Sequence, residues 1–315
     1  MAMLEKAAPA GGTPTRRRGR SLRSLTRRDR LVLALMVGVP SALHLAFVWV
    51  PALGSIALSF SRWEGIGGFS SIQWIKTLNY KQIFTIYPPF WPAVRHNLEW
   101  MGFLFLATGV GLFLAVQLDK RLRGSRIYQS VIFMPVMLSF AIVGFIWHLV
   151  YSYDFGLINN LFHTHVDWLG DSRINLWSAL VAASWRHVGY IMIIYLAGLK
   201  AVDASLREAA AIDGANEWQT FTRVVFPALK PINVVVLVIT VIEALRAFDL
   251  VYVINKGTNG LELISALVVS NIVGEASRIG YGSALAVILL VVSLVFIIPY
   301  LVAYFRANFG ARGAR

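Results

Sequence analysis

At 315 residues, 57% apolar and only 14% charged, the chain departs from soluble domains, in which about 25% of residues are charged. The apolar residues form six blocks, each long enough for the roughly 20 residues of a bilayer-spanning helix. No connection between blocks is longer than Ser61–Asn97, and a segment below about 40 residues seldom folds alone, so a separate soluble catalytic domain is excluded. Cysteine is absent, which removes disulfides, a thiol nucleophile and cysteine-held metals.

These features predict an all-α membrane protein with six transmembrane helices. Residues 1–30 form a basic segment that reads as a disordered topology anchor on anionic head groups; a nucleic-acid arm is the alternative. The first span, Leu31–Phe60, contains Pro40 and Pro51, which predict a kink or tilt. A signal peptide is the competing reading, but the apolar region far exceeds the ~7–15 residues of one. Ser61–Asn97 is rich in aromatics (Trp63, Trp74, Tyr80, Tyr87, Trp91), a composition suited to the membrane–water boundary or to a docking surface.

Further spans are expected at Leu98–Leu118, Ile127–Val150, Leu176–Leu199, Ile232–Ile254 and Tyr281–Phe305, within a membrane domain over 31–305 that is followed by a tail over 306–315. One side of the membrane receives both tails and the 119–126 and 200–231 loops, with twenty Lys/Arg; the other receives seven. This bias predicts both termini in the cytoplasm, so the net charge of +13 reports topology.

The most informative segment is the cytoplasmic stretch Glu208–Pro231. Ser205 and Glu208 have capping-box spacing, so a helix is expected from about residue 205. Ala209, Ala210 and Ala211 give it a slim face, and Gly214 stands where a left-handed residue would stop it. Asn216 and Gln219 offer a second N-cap with a polar partner three residues on. Trp218, Phe221 and Val225 form one apolar stripe, and Pro227 is expected to end this second helix. Two short helices bent at Gly214, with Glu208 and Asp213 exposed, suit insertion into a groove on another protein.

This segment resembles the EAA loop of the permease subunits of binding-protein-dependent ABC importers. The pattern is carried by Glu208-Ala209-Ala210, Gly214 and Phe226-Pro227. The fuller form, with Ile212-Asp213-Gly214-Ala215, Phe221 and Pro231, is similar to the carbohydrate branch, which includes maltose and glycerol-phosphate permeases. So are Phe133-Met134-Pro135, Phe248-Asp249-Leu250 and Gly280–Ala284, and the likeness covers about residues 30–306. The resemblance implies a type I ABC importer permease-like bundle with cytoplasmic coupling helices in a bacterial inner membrane. It implies that Glu208, Ala209, Ala210, Asp213, Gly214 and Pro227 dock on an ATPase. The implied partners are a second permease subunit, two copies of an ATP-binding subunit and an extracytoplasmic solute-binding protein. The chain contains no G-x-x-x-x-G-K-[ST] phosphate loop, so ATP and Mg are expected on the ATPase and no cofactor on this chain.

Ionisable groups within spans are costly and tend to face a cavity or a partner. Arg186, His187 and Tyr190 cluster in the fourth span; Glu243, Arg246 and Asp249 lie at i, i+3 and i+6 in the fifth. They read either as a salt-bridge network locking the helices or as the lining of a solute passage. The resemblance places the sugar contacts of maltose-type permeases at Ala183, Arg186, His187, Tyr190, Leu245, Arg246 and Asp249. Only the tyrosine is kept, so the resemblance implies the position of a passage but not its solute, and the arginines suit an acidic or phosphorylated sugar. His163 and His165 lie two apart in an outer loop without a third ligand nearby in the sequence, and no catalytic constellation is evident. The reading is an ABC sugar-importer permease and not an enzyme. The alternatives are a permease for a non-sugar solute such as a phosphate ester, a proton-coupled carrier using Glu243, Asp249 and the histidines, or a membrane enzyme. The Glu208–Pro231 loop speaks against the carrier, which has no use for an ATPase socket.

Overall fold

The structure, a computed structural model, describes residues 26–120, 123–274 and 277–309. Most of the basic tail and residues 310–315 therefore lie outside the described residues. The chain divides into two compact units, Met1–Leu53 and Gly54–Arg315. The first unit, as described, is helical. Helix α1 (Arg27–His44) opens with a capping box between Thr26 and Asp29, so helix begins four residues before the expected Leu31 and takes in the end of the tail. The prolines cause no sharp break. The chain widens into a π turn over Leu45–Trp49, which ends two residues before Pro51, and α2 (Val50–Leu58) continues a helical span of Arg27–Leu58. Residues 27–50 are exposed and largely apolar on every face, as a helix facing lipid or another chain requires.

In the second unit, a two-stranded antiparallel hairpin pairs β1 (Ser61–Arg62) with β2 (Gln73–Trp74), Ser61 opposite Trp74. The short α3 (Leu78–Thr85) leads into α4 (Phe90–Asp119), which starts well before the expected Leu98. The third expected span is not one helix. It consists of α5 (Ser125–Phe133) with a 3-10 turn over Met134–Met137, then α6 (Phe140–Val150), bent by 102°. Pro135 lacks a donor for the helix, Leu138 is extended, and Ser139 starts α6 by accepting from the Ile142 N–H at 3.3 Å. After α7 (Leu157–Phe162), the long α8 (Asn175–Ala201) forms the fourth span. The 202–229 stretch holds α9 (Ala204–Ile212), α10 (Glu217–Thr220) and α11 (Phe226–Ala228).

The fifth expected span is also broken, into α12 (Lys230–Leu245) and α13 (Asp249–Asn255), with the interruption at Arg246–Phe248. Then come α14 (Ile264–Ile272) and α15 (Ile279–Phe309), whose end absorbs the start of the expected C-terminal tail. Among the described residues, four helices are long and apolar enough to cross a membrane alone, and the bent third pair, taken as one span, makes a fifth. The remaining apolar block, the fifth, is the interrupted α12–α13.

Three apolar clusters hold the second unit together. Around Trp100, Leu104, Val143, Leu180, Val241 and Val251, the central cluster joins α4, α6, α8, α12 and α13. A second joins the ends of α4 and α8 to Val225 and Leu229 of the loop region, and a third packs Ile83, Phe90 and Ile264 against Tyr281 and Leu285. The bent third span crosses α8 at Gly189, where an added Cβ would meet the Ile132 carbonyl oxygen and approach Val136 Cγ2 to 3.2 Å. Gly189→Ala is expected to destabilise the purified protein by about 1–3 kcal/mol. Gly102→Ala, which meets nothing within 4 Å, is expected to leave the thermal midpoint unchanged or slightly raised.

Candidate functional site

A cleft of about 320 Å³ opens between α4, α6, α8 and the break between α12 and α13. Its walls include Arg186, His187, Arg246 and Asp249 together with Trp100, Phe140 and Glu243. Four of the five sequence-derived path residues thus share one cavity. Tyr190 does not: it is half-buried against the second apolar cluster, a turn below the cleft on α8. Ala183 lines the cleft, while Leu245 is buried in the central cluster.

The charges of the cleft fall into two groups. Glu243 accepts from His187 Nδ1 at 2.6 Å and from Arg186 at 3.4 Å. His187, 1% exposed, meets Thr108 Oγ1 through Nε2 at 3.0 Å, and Thr108 meets Thr240 at 3.0 Å. With His187 neutral, this chain runs in one direction: Thr240 donates to Thr108, Thr108 to Nε2, and Nδ1–H to Glu243. Arg186 also donates from Nε to the Leu138 carbonyl at 3.3 Å, and its guanidinium lies 4.0 Å from the centre of the Phe140 ring. That carbonyl sits at the bend of the third span, where the backbone is free of the helix ladder. Arg186 therefore ties the bent span to α12 through Glu243.

Arg246 and Asp249 form the second group. The spacing of Glu243, Arg246 and Asp249 suggests mutual pairing along one helix face, but the break prevents it. Among the described residues neither Arg246 nor Asp249 makes a side-chain hydrogen bond or ion pair, and both are exposed to the cleft. Arg246 caps the C-terminus of α12 and Asp249 begins α13, so each charge has the sign that its helix end favours. The pairing Glu243 does make is with α8. Thr108 and Thr240, which complete the network, are uncharged residues within apolar runs of α4 and α12 and carry no sequence signal.

In the 202–229 stretch, α9 is capped by Asp203, not by the expected Ser205: the Asp203 carboxylate accepts from the Ser205 N–H at 3.0 Å. That bond, with the Ser205 hydroxyl, holds the Asp203 carboxyl below the usual carboxylate range. Gly214, at φ +78°, ends α9 as expected. The Gly214 N–H reaches the Ala211 carbonyl and the Ala215 N–H the Ala210 carbonyl, at 3.1 and 3.0 Å. The capping box of Asn216 and Gln219 is present, at 2.8 and 3.0 Å. Pro227 does not terminate the second helix. A π turn over Phe221–Val225 precedes it and α11 runs on to Ala228, which accommodates the missing donor. Glu208, Ala209, Asp213, Gly214 and Pro227 are exposed and Ala210 is buried; of the expected stripe, Val225 is buried while Trp218 is 72% exposed.

Ion pairs fasten this stretch to α4. Arg207 bonds Asp119 at 2.8 Å and the Leu199 carbonyl at 3.3 Å, and Lys120 bonds Glu217 at 2.7 Å. Lys120, first by hydrogen bonding and then by its charge, holds the Glu217 carboxyl below its ordinary value. Asp119, Lys120 and Arg207 carry no local sequence signal, because their partners lie far along the chain.

The chain is 34% identical over 286 residues to the osmoprotective compounds uptake permease protein GgtC of Synechocystis sp., covering 86% of this chain and 97% of that protein. It is 32% identical over 277 residues to the xylose/arabinose import permease protein XacH of Haloferax volcanii, covering 84% and 85%. Among solved structures, a chain of a bacterial ABC transporter involved in the import of the acidic polysaccharide alginate superposes with a TM-score of 0.76 over 89% of this chain and 97% of that chain. At 22% identity, that likeness shows a shared fold. Residues 107–309 match the family described as the binding-protein-dependent transport system inner membrane component, and the chain belongs to that family of ABC importer permeases.

Proposed function

We propose that this chain forms one half of the passage of a sugar importer and that solute crosses at the cleft between the two broken spans. The observation that carries this reading is the pair of unengaged charges, Arg246 and Asp249, facing a cleft whose lining includes the partly buried Phe140 and Phe248. Sugars are bound by aromatic faces and by charged hydrogen-bonding groups, and this wall offers both. Arg186 spends its charge on Glu243, which favours a neutral sugar over a phosphate ester. The name of the xylose/arabinose relative agrees with that class.

On this reading the exposed faces of α9 and α10 meet a separate ATPase, which holds ATP and Mg, and a second permease subunit completes the passage. The α4 and α8 C-termini share one end of the fold with this loop, in keeping with a cytoplasmic side set by the Lys/Arg bias. An extracytoplasmic binding protein delivers solute to the opposite end. There Trp74 is exposed, whereas Tyr87 packs on Tyr281 and bonds Asn271, so Trp74 belongs to the docking surface and Tyr87 to the scaffold.

The test is ATP-driven uptake by the complete importer in proteoliposomes. Arg246→Ala and Asp249→Asn are expected to leave complex yield and thermal midpoint intact while raising the solute concentration for half-maximal uptake about tenfold, the loss of roughly one charged hydrogen bond. Arg186→Ala is expected to lower the yield of folded complex, because it leaves Glu243 and the Leu138 carbonyl underpaired. Wild-type uptake kinetics for both cleft variants would remove Arg246 and Asp249 from the path. Gly214→Val tests the loop. No atom lies within 4 Å of the added Cβ, so only the left-handed backbone resists the side chain. The variant is expected to insert normally but to lose ATPase docking, read by co-purification; full ATP-driven uptake would refute the assignment. A cysteine at Trp74, in this cysteine-free chain, is expected to crosslink to the binding protein, and failure in every nucleotide state would count against that surface.

A further inference from the structure

Resting on the reading of the 202–229 stretch as the ATPase contact, we infer that Arg207 is the positioning residue that makes this stretch move as one body with α4 and α8. Three observations meet at its guanidinium. It bonds Asp119, the last residue of α4, at 2.8 Å, and the Leu199 carbonyl of α8 at 3.3 Å, while it stands in the middle of α9. Asp119 is mostly buried, with 13% of its side chain exposed, and Lys200 lies 4.0 Å from its other oxygen. The carbonyls of a helix's last turn have no partner within the helix, so Arg207 satisfies one that α8 leaves open. A planar fork can hold a carboxylate and a carbonyl together; a point charge such as an ammonium cannot do so in the same geometry.

The second half of the stretch is tied to the same place. Lys120 bonds Glu217 at the start of α10, and Val225 and Leu229 pack into the cluster that contains Leu118, Leu196 and Leu199. Both short helices therefore rest on the ends of α4 and α8. These two long helices are themselves closely packed: at Gly111 of α4 an added Cβ would lie 2.9 Å from the Ile191 side chain. The connection toward α12 is different in kind. It runs through a π turn, the single turn at Leu229 and Pro231, where the helical ladder is interrupted.

A push on α9 is thus delivered along α8 as a rigid rod, and Arg186 and His187 lie about 20 Å further along that rod at 1.5 Å per residue. α12, carrying Glu243 and the break at Arg246, follows through a hinge. The relative movement of α8 and α12 acts on the Arg186–Glu243–His187 contacts and on the cleft between them.

The experiment compares the complete importer carrying wild-type chain, Arg207→Ala and the pair Arg207→Cys/Asp119→Cys, in proteoliposomes with the binding protein. The readouts are ATPase co-purification, ATP hydrolysis and solute taken up per ATP. Arg207→Ala is expected to keep the ATPase bound and hydrolysing, with uptake per ATP reduced about fivefold or more, the scale of an ordinary coupling energy. The cysteine pair is expected to behave likewise until bridged by a short bifunctional thiol reagent, which restores coupling. If Arg207→Ala lowers the yield of complex, Arg207→Lys decides: it keeps the charge but not the fork, and intermediate coupling is expected. Wild-type uptake per ATP in Arg207→Ala, or in Arg207→Lys where the alanine variant does not assemble, overturns the role of Arg207 alone. Failure of a cysteine at the exposed Ile212 to crosslink to the ATPase in an otherwise wild-type complex overturns the ATPase contact and this inference together.

Discussion

Inside a bilayer, a backbone carbonyl released from its helix has no water to turn to, and it must find a donor within the protein. This constraint organises the middle of the fold. The third apolar block bends by 102°, and the carbonyl of Leu138 at that bend is met by Arg186. A guanidinium so placed needs a counter-charge, which Glu243 supplies from α12. Glu243 takes a second bond from His187, and His187 leads on to Thr108 of α4 and Thr240 of α12. One bent backbone thus draws α4, α8 and α12 into a shared polar network.

With Glu243 committed to α8, the fifth block has no carboxylate left on its own face for Arg246. The break after Leu245 supplies another form of stabilisation, because it sets Arg246 at a helix C-terminus and Asp249 at a helix N-terminus. Both charges can then stay open to the cleft. The same cluster of ionisable residues therefore divides into a part that holds the bundle and a part left open to the cleft, so structural locking and passage lining are not exclusive readings of it.

The 202–229 stretch follows a similar division. Its two helices are defined locally by Asp203, Gly214 and the Asn216–Gln219 box, and they are oriented by distant residues, Asp119 and Lys120. Local capping gives the stretch its shape. The ion pairs and the burial of Val225 and Leu229 give it a fixed place against the long helices and leave Glu208, Ile212 and Asp213 exposed.

What the sequence alone determined was whatever depends on composition and short spacing. Hydropathy located the apolar blocks, the Lys/Arg bias suggested their orientation, and the left-handed Gly214 and the Asn216–Gln219 box were legible because each acts within a few residues. The EAA pattern led to the family for the same reason. Where two local signals competed, the reading failed: Asp203 and not Ser205 caps α9, and a π turn carries the helix through Pro227. The tertiary structure alone decided the rest. The fifth block breaks where there is neither proline nor glycine, so no residue there marks the break in advance. Glu243 pairs across helices instead of along its own, Tyr190 turns into an apolar cluster, and Arg207 finds Asp119 from far along the chain. In each case the residue's role is set by which groups remain unsatisfied once the helices have packed, and that is a property of their arrangement in space.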